Sequence, residues 1–167
     1  MRPIETERKF LIRMPELDVL EAYDGVKIKH IEQTYLASSD GKNARVRKIC
    51  EGDSTTFVKT VKERISVLSA YEEEYEISES DYREELKNRD ESKNTIVKTR
   101  YCLPFDSHIV EIDVYPFWSD RAILEVELSS EDERFSLPNF VEVVREVSDD
   151  GRYKNTKLAQ NVPYDEI

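Results

Sequence analysis

Ile4-Glu5-Thr6-Glu7-Arg8-Lys9-Phe10-Leu11-Ile12 decides the fold. Glu5, Glu7 and Lys9 stand two residues apart, so in an extended chain they share one face, and Ile4 lies on the other. The same period of two recurs along the chain, which predicts strands over residues 4–12, 31–36, 44–50, 55–62, 72–77, 95–103, 109–115 and 122–128. Asp40-Gly41-Lys42-Asn43 reads as the hairpin turn before the third strand. Helices are fewer. Residues 80–88 begin with a Ser N-cap and end at Asn, residues 15–23 and 130–135 are shorter candidates, and residues 153–160 form a terminal helix. Strands that follow one another in hairpin order favour a closed antiparallel sheet of eight strands with a few flanking helices, in one domain spanning residues 1–167.

One face of nearly every strand carries charge. Arg45 and Arg47 share a face, as do Glu74 and Glu76, Lys98 and Arg100, Glu111 and Asp113, and Glu125 and Glu127; Thr60 and Lys62 form a weaker pair. A half-exposed sheet also shows charge on its wet side. Here, however, whole strands present one sign, acid on three and base on two, and Ser and Thr are scarce at these positions. Eight strands close around a bore wide enough for side chains or one small ligand. With the apolar residues Val97, Ile112, Val114, Leu124, Val126 and Leu128 packed outward, the charges would line that bore. A dry ion costs several kcal/mol, so such a bore implies water and a ligand of both demands. Arginine and lysine hold phosphate oxygens, and clustered carboxylates hold Mg²⁺ or Mn²⁺. A metal-bound triphosphate asks for both.

Composition narrows the alternatives. Acids outnumber bases 36 to 25 in 167 residues, a net charge of -11, which argues against general nucleic-acid binding. Four glycines and no GxxxxGK[ST] or GxGxxG string leave phosphate binding to side chains. Cys50 and Cys102 stand apart with no CxxC pair and read as reduced thiols. No apolar run approaches the roughly 18 residues of a membrane span, and the N-terminus has no apolar leader, so a soluble cytoplasmic protein is expected. His30 and His108 read as surface or packing residues, and Tyr35 and Tyr153 are the tyrosines to watch for a place facing the ligand.

The sequence resembles the CYTH family, the triphosphate tunnel metalloenzymes. Glu5-Thr6-Glu7-Arg8-Lys9 is similar to the family's ExExK string. Gln33-Thr34-Tyr35-Leu36, Arg45-Val46-Arg47, Thr60-Val61-Lys62, Glu74-Tyr75-Glu76-Ile77, Lys98-Thr99-Arg100-Tyr101, Glu111-Ile112-Asp113-Val114 and Leu124-Glu125-Val126-Glu127 follow in the family's order. The closing segment, residues 145–155, is similar to the family's last one. The resemblance implies an eight-stranded tunnel in which Glu5, Glu7, Glu125 and Glu127, with Asp113, hold catalytic Mg²⁺ or Mn²⁺. It implies phosphate contacts from Lys9, Arg45, Arg47, Lys62, Lys98 and Arg100, and from Lys154 on a terminal plug helix. Glu74 and Glu76 match a second acidic pair that holds another metal or orients water. Lys59 faces away from Lys62 and reads as a solvated charge.

One departure stands out: Glu72 occupies a place where similar bacterial proteins often carry Arg, so one phosphate contact is lost or moved. The resulting expectation is a divalent-metal-dependent hydrolase that cleaves inorganic triphosphate. The alternatives are a cyclase that makes cyclic AMP from ATP, hydrolysis of thiamine or RNA 5′-triphosphates, and a non-catalytic polyphosphate-binding module. A small-molecule triphosphate is the expected partner, with a homodimer left open.

Overall fold

The computed structural model describes residues 2–38, 40 and 42–167. Nine strands and three short helices follow one another: β1 (Ile4–Arg13), α1 (Leu17–Glu21), β2 (Lys27–Tyr35), β3 (Asn43–Glu51), β4 (Ser54–Arg64), β5 (Ser69–Ile77), α2 (Glu79–Leu86), β6 (Ile96–Phe105), β7 (His108–Val114), β8 (Arg121–Leu128), β9 (Val143–Glu146) and α3 (Asn155–Leu158). All eight expected strands are present. Of the expected turn before β3, Gly41 lies outside the described residues. The turn between β6 and β7 takes positive φ at both Asp106 and Ser107 (49° and 73°), the hairpin geometry that matches the twist of the flanking strands.

The sheet runs β5-β4-β3-β2-β6-β7-β8-β1 and closes where β1 meets β5. Every one of these pairings is antiparallel, so the closed part is an eight-stranded barrel. β1 is shared unevenly. It pairs with β8 from Thr6 to Arg13, with β5 only at Ile4, Glu5 and Thr6, and with the unexpected β9 at Phe10, Leu11 and Ile12.

The apolar faces do turn outward. Phe10, Ile12, Leu103, Val110, Ile112, Leu124 and Val126 form a buried layer beneath Leu20 of α1 and beneath Phe135, Leu137, Phe140 and Val141 of an irregular strap. Full burial of each such side chain stabilises by about 1.5–3 kcal/mol. Ile4 and Val97 also face out, but nothing covers them, and each stays at least half exposed. On the opposite wall α2 lays Tyr82 and Leu86 over Val46 and Phe57. A third cluster, Leu11, Tyr35, Ile96, Tyr115, Trp118, Ile123, Tyr153 and Leu158, stops one end of the barrel. No helix among the described residues is long and apolar enough to cross a membrane. Cys50 and Cys102 are free.

Three helix expectations need correction. Residues 130–135 form a turn and an extended strap, not a helix. Glu133 there is held by the Ser129 amide (2.8 Å) and by His108, which fixes a non-helical loop. α2 begins after Ser78, whose hydroxyl accepts the Asp81 amide, and not at residue 80. The terminal helix is broken into a 3₁₀ turn at Gly151–Tyr153 and the single turn of α3.

Candidate active site

Inside the barrel the period of two does what the sequence implied. Directly opposed inward positions include Glu7 with Glu127, Lys9 with Glu125, Glu111 with Glu125, Arg45 with Thr60, Thr60 with Glu74, and Lys62 with Glu72. Together they enclose a cavity of about 480 Å³. Eight cationic side chains (Lys9, Lys29, Arg45, Arg47, Lys62, Arg64, Arg100, Lys154) and seven carboxylates (Glu5, Glu7, Glu72, Glu74, Glu111, Glu125, Glu127) line it. The bore is therefore highly charged and close to balanced.

Many of these charges are paired with each other. Lys62 Nζ lies 2.6 Å from Glu5 and 3.1 Å from Glu72. Lys9 Nζ lies 3.4 Å from Glu125. Arg100 forks onto Asp113 through Nε (2.7 Å) and Nη2 (2.9 Å) and reaches Glu111 at 3.1 Å. Arg47 meets Glu74, which also accepts from Thr60 Oγ1 at 2.9 Å. Burial acts against the charge of Glu125, yet Lys9, Arg100 and Lys98 hold it well below the usual carboxylate range.

Glu7 and the two arginines of β3 each leave a buried polar group without a full set of partners. Glu7 makes no ion pair among the described residues; burial, with repulsion from Glu125 and Glu5, pushes its carboxyl up to about 8. On β3 the Nε atoms of Arg45 and Arg47 are buried without a hydrogen-bond acceptor. Burial and then repulsion from Arg45 push Arg47 down to about 10, against the pull of Glu74. A buried cation with an open donor favours an anion, and a buried carboxylate beside two others favours a cation. β3 lies across the barrel from β8, four strands away in either direction. The two demands therefore face each other over the cavity.

Among the described residues, no three acid, His or Cys donors are already gathered at metal-binding distance. The carboxylates of β1 and β8 are hard oxygen donors suited to Mg²⁺ or Mn²⁺. In this arrangement Lys62 and Lys9 occupy two of them, while Glu7 remains unpaired. The donor set fits a divalent cation in chemistry.

Comparison with solved structures gives the fold its relatives. The chain is 28% identical to the inorganic triphosphatase NE1496, over 96% of this chain and 97% of that one, with a TM-score of 0.58. The PH1819 protein of Pyrococcus horikoshii OT3 matches with a TM-score of 0.58 at 18% identity, over 77% and 81% of the two chains. A putative adenylate cyclase of Bacillus halodurans matches with a TM-score of 0.52 at 17% identity, over 78% and 83%. This is the triphosphate tunnel fold of the CYTH type. No family model and no curated protein matches the sequence.

The tunnel gathers Glu5, Glu7, Lys9, Arg45, Arg47, Lys62, Glu74, Arg100, Glu125, Glu127 and Lys154 around one cavity. Three expected site residues lie elsewhere. Lys98 and Asp113 are buried against each other (2.9 Å) in the wall behind Arg100. Asp113, also forked by Arg100, is committed to two cations and does not reach the cavity. Glu76 faces the right way but stands exposed beyond Glu74, outside the cavity lining. Lys59 points outward to Glu85 of α2 at 2.8 Å. Tyr35 lines the tunnel, whereas Tyr153 is buried in the plug.

Lys29 and Arg64 are tunnel residues that the strand pattern missed. Each lies one inward step beyond the expected strand, two residues before Ile31 and two after Lys62. Longer strands would have found them. The Glu72 departure has a structural counterpart: its carboxylate shares Lys62 with Glu5.

Proposed function

We propose that this protein hydrolyses a triphosphate with the help of Mg²⁺ or Mn²⁺, and that inorganic triphosphate is its preferred substrate. The observation that carries the reading is the opposition of a carboxylate wall, Glu5, Glu7, Glu125 and Glu127 on β1 and β8, to the open arginine donors of β3 across one cavity. Likeness to a structure named as an inorganic triphosphatase supports it. A nearly balanced bore has little net field to attract a polyanion by itself. Metal dependence follows, because a cation on the carboxylates would tip the balance and release Lys62 and Lys9 to the phosphates.

In this reading Arg45, Arg47, Lys62, Lys9 and Arg100 fix the phosphates, and the plug residue Lys154 meets them from the closed end. When bound by Glu5, Glu7, Glu125 and Glu127, a divalent cation supplies neutralisation of charge on the phosphate oxygens. A water oxygen forms the new bond to phosphorus. The bridging P–O bond breaks, and its electron pair leaves on the diphosphate. Glu74, steadied by Thr60 and Arg47 and partly open to solvent, orients that water and passes its proton outward. Catalysis is positioning plus electrostatics.

Ile31, Ile49 and Val58 form a second kind of lining on three adjacent strands, β2, β3 and β4. An apolar ledge of this sort favours an organic group on the triphosphate, so a nucleoside triphosphate is the second reading. Phosphate release from triphosphate with Mg²⁺ and with Mn²⁺, measured beside cyclic nucleotide formation from ATP, separates the two. Glu5→Gln and Glu127→Gln are each expected to lose at least about a hundredfold in turnover, as when a preorganised electrostatic contact is removed. Near-normal rates in both would reject the metal assignment.

A further inference from the structure

The barrel wall is incomplete at one place. β1 leaves β5 after Thr6 and meets β9 only at Phe10. In between, the Glu7 amide donates to Leu68 O of the β4–β5 hairpin (3.0 Å), and the Lys9 amide donates to Ser148 Oγ (2.9 Å). The Val147 amide, just past β9, donates to Lys9 O (2.8 Å), so the stretch of this edge without a neighbouring strand is short, from Glu7 to Lys9. A side cavity of about 20 Å³ opens there, lined by Glu7, Lys9, Arg64, Val67, Ser148 and Lys154. Glu7, Lys9, Arg64 and Lys154 also line the main tunnel, so the two spaces adjoin.

The junction is basic. Lys9, Arg64 and Lys154 face a single carboxylate, Glu7, and Lys9 is paired with Glu125 away from the gap. Arg64 and Lys154 make no ion pair among the described residues. Burial, with repulsion from Arg64 and Lys9, pushes the Lys154 ammonium below its usual range. Three crowded cations with one acid between them favour a small anion. The end of the barrel beyond them is stopped by Tyr115, Trp118, Tyr153 and Leu158. Anything released at that end has the substrate's remaining phosphates on the mouth side and packed aromatic residues on the other.

We propose that Arg64, together with Lys9 and Lys154 once cleavage frees them from the substrate's end phosphate, forms a second anion site at a lateral port in the tunnel wall, which takes the orthophosphate product and lets it leave apart from the mouth. The product assignment rests on the reading of this chain as a triphosphatase. The side cavity has room for about one water, so the anion sits at the junction of the two spaces. Its departure needs Arg64 and Lys154 to swing, and long side chains that reach solvent change rotamer quickly.

Two measurements test the site. In steady-state hydrolysis of triphosphate, added orthophosphate should inhibit noncompetitively. Arg64→Gln should raise its inhibition constant roughly tenfold, the loss of one charge-assisted contact, and by a larger factor than it raises KM. Arg64→Lys should restore most of the effect. Competitive inhibition, or an inhibition constant and KM that rise in step, would overturn the separate site. The second measurement is calorimetric titration of the wild type and Arg64→Gln with inorganic phosphate, which needs no turnover. Wild-type binding that Arg64→Gln loses supports the site even if triphosphate is not hydrolysed, in which case only the proposed activity falls. Equal binding by both proteins, or none by the wild type, sinks the site even if triphosphate is hydrolysed.

Discussion

Glu7 shows how burial beside two other carboxylates changes one residue's protonation. Its carboxyl is raised from 4.5 to about 8 by burial and by Glu125 and Glu5. Between those values the folded chain holds a proton there that the unfolded chain has lost. Stability from this group is full below about 4.5 and falls as pH rises through about 8. Lys98, pushed down to about 8 by burial, titrates differently in the two states only above that value, so it does not obscure the window. Without divalent metal, the melting temperature is expected to drop from pH 5 to pH 8 more in the wild type than in Glu7→Gln. Mn²⁺ should remove the difference by holding the carboxylate ionised, and its affinity should rise over the same range. Equal pH profiles in a calorimetric scan of the two proteins would refute this account. At this scale the sequence was legible in part: parity fixed which side Glu7, Arg45 and Lys62 face. It does not fix depth, so Lys98 and Asp113 were expected in the bore when the packing of the plug end puts them in the wall.

Elements were legible where the apolar pattern is long and hidden where only tertiary contacts define them. The eight barrel strands alternate over seven or more residues. β9 has four, Val143-Val144-Arg145-Glu146, and exists because β1 offers an edge after it leaves β5. Residues 130–135 read as a short helix in sequence, but the structure puts a turn there, leading into the strap at 135–141. The strap is irregular, with a turn from Pro138 to Val141, because Phe135, Leu137, Phe140 and Val141 each reach down to the outer sheet, and Pro138 interrupts any helical ladder. The start of α2 was misplaced by two residues because Ser78 and Ser80 are both competent caps. Ser78 takes the role, accepting from Asp81 N at 3.0 Å. Ser78→Ala is therefore expected to cost about 1 kcal/mol of stability, and Ser78→Asp to retain most of it. Urea unfolding reads the loss directly, and since Tyr82 and Leu86 pack over β3 and β4 the whole domain should feel it. No change in the urea midpoint for Ser78→Ala would mean that packing alone holds the helix.

The whole molecule carries a net charge of -11, yet its bore is lined by eight cations and seven carboxylates. That local balance explains how so many ionic groups share one cavity: Lys9, Arg47, Lys62 and Arg100 each offset the desolvation of a neighbouring carboxylate. It also sets how ligands must bind. A divalent cation alone adds positive charge to a bore that already holds Lys9 and Lys62 on the same carboxylates. A triphosphate alone adds negative charge beside Glu5, Glu7 and Glu127. Together they offset each other in part, and each reduces the repulsion that the other creates. Binding of the two should therefore be strongly coupled, by about 1–3 kcal/mol as for other linked sites. In thermal unfolding, Mn²⁺ alone and a non-hydrolysable triphosphate analogue alone should each raise the midpoint modestly, by mass action on the folded state. Both added together should raise it by clearly more than the sum. In Glu127→Gln the coupling should shrink toward zero while the analogue alone binds no worse, because one repelling carboxylate is gone. Additive shifts in the wild type would mean that metal and phosphates occupy the tunnel independently, and that the opposition of carboxylates on β1 and β8 to arginines on β3 does not act as one site.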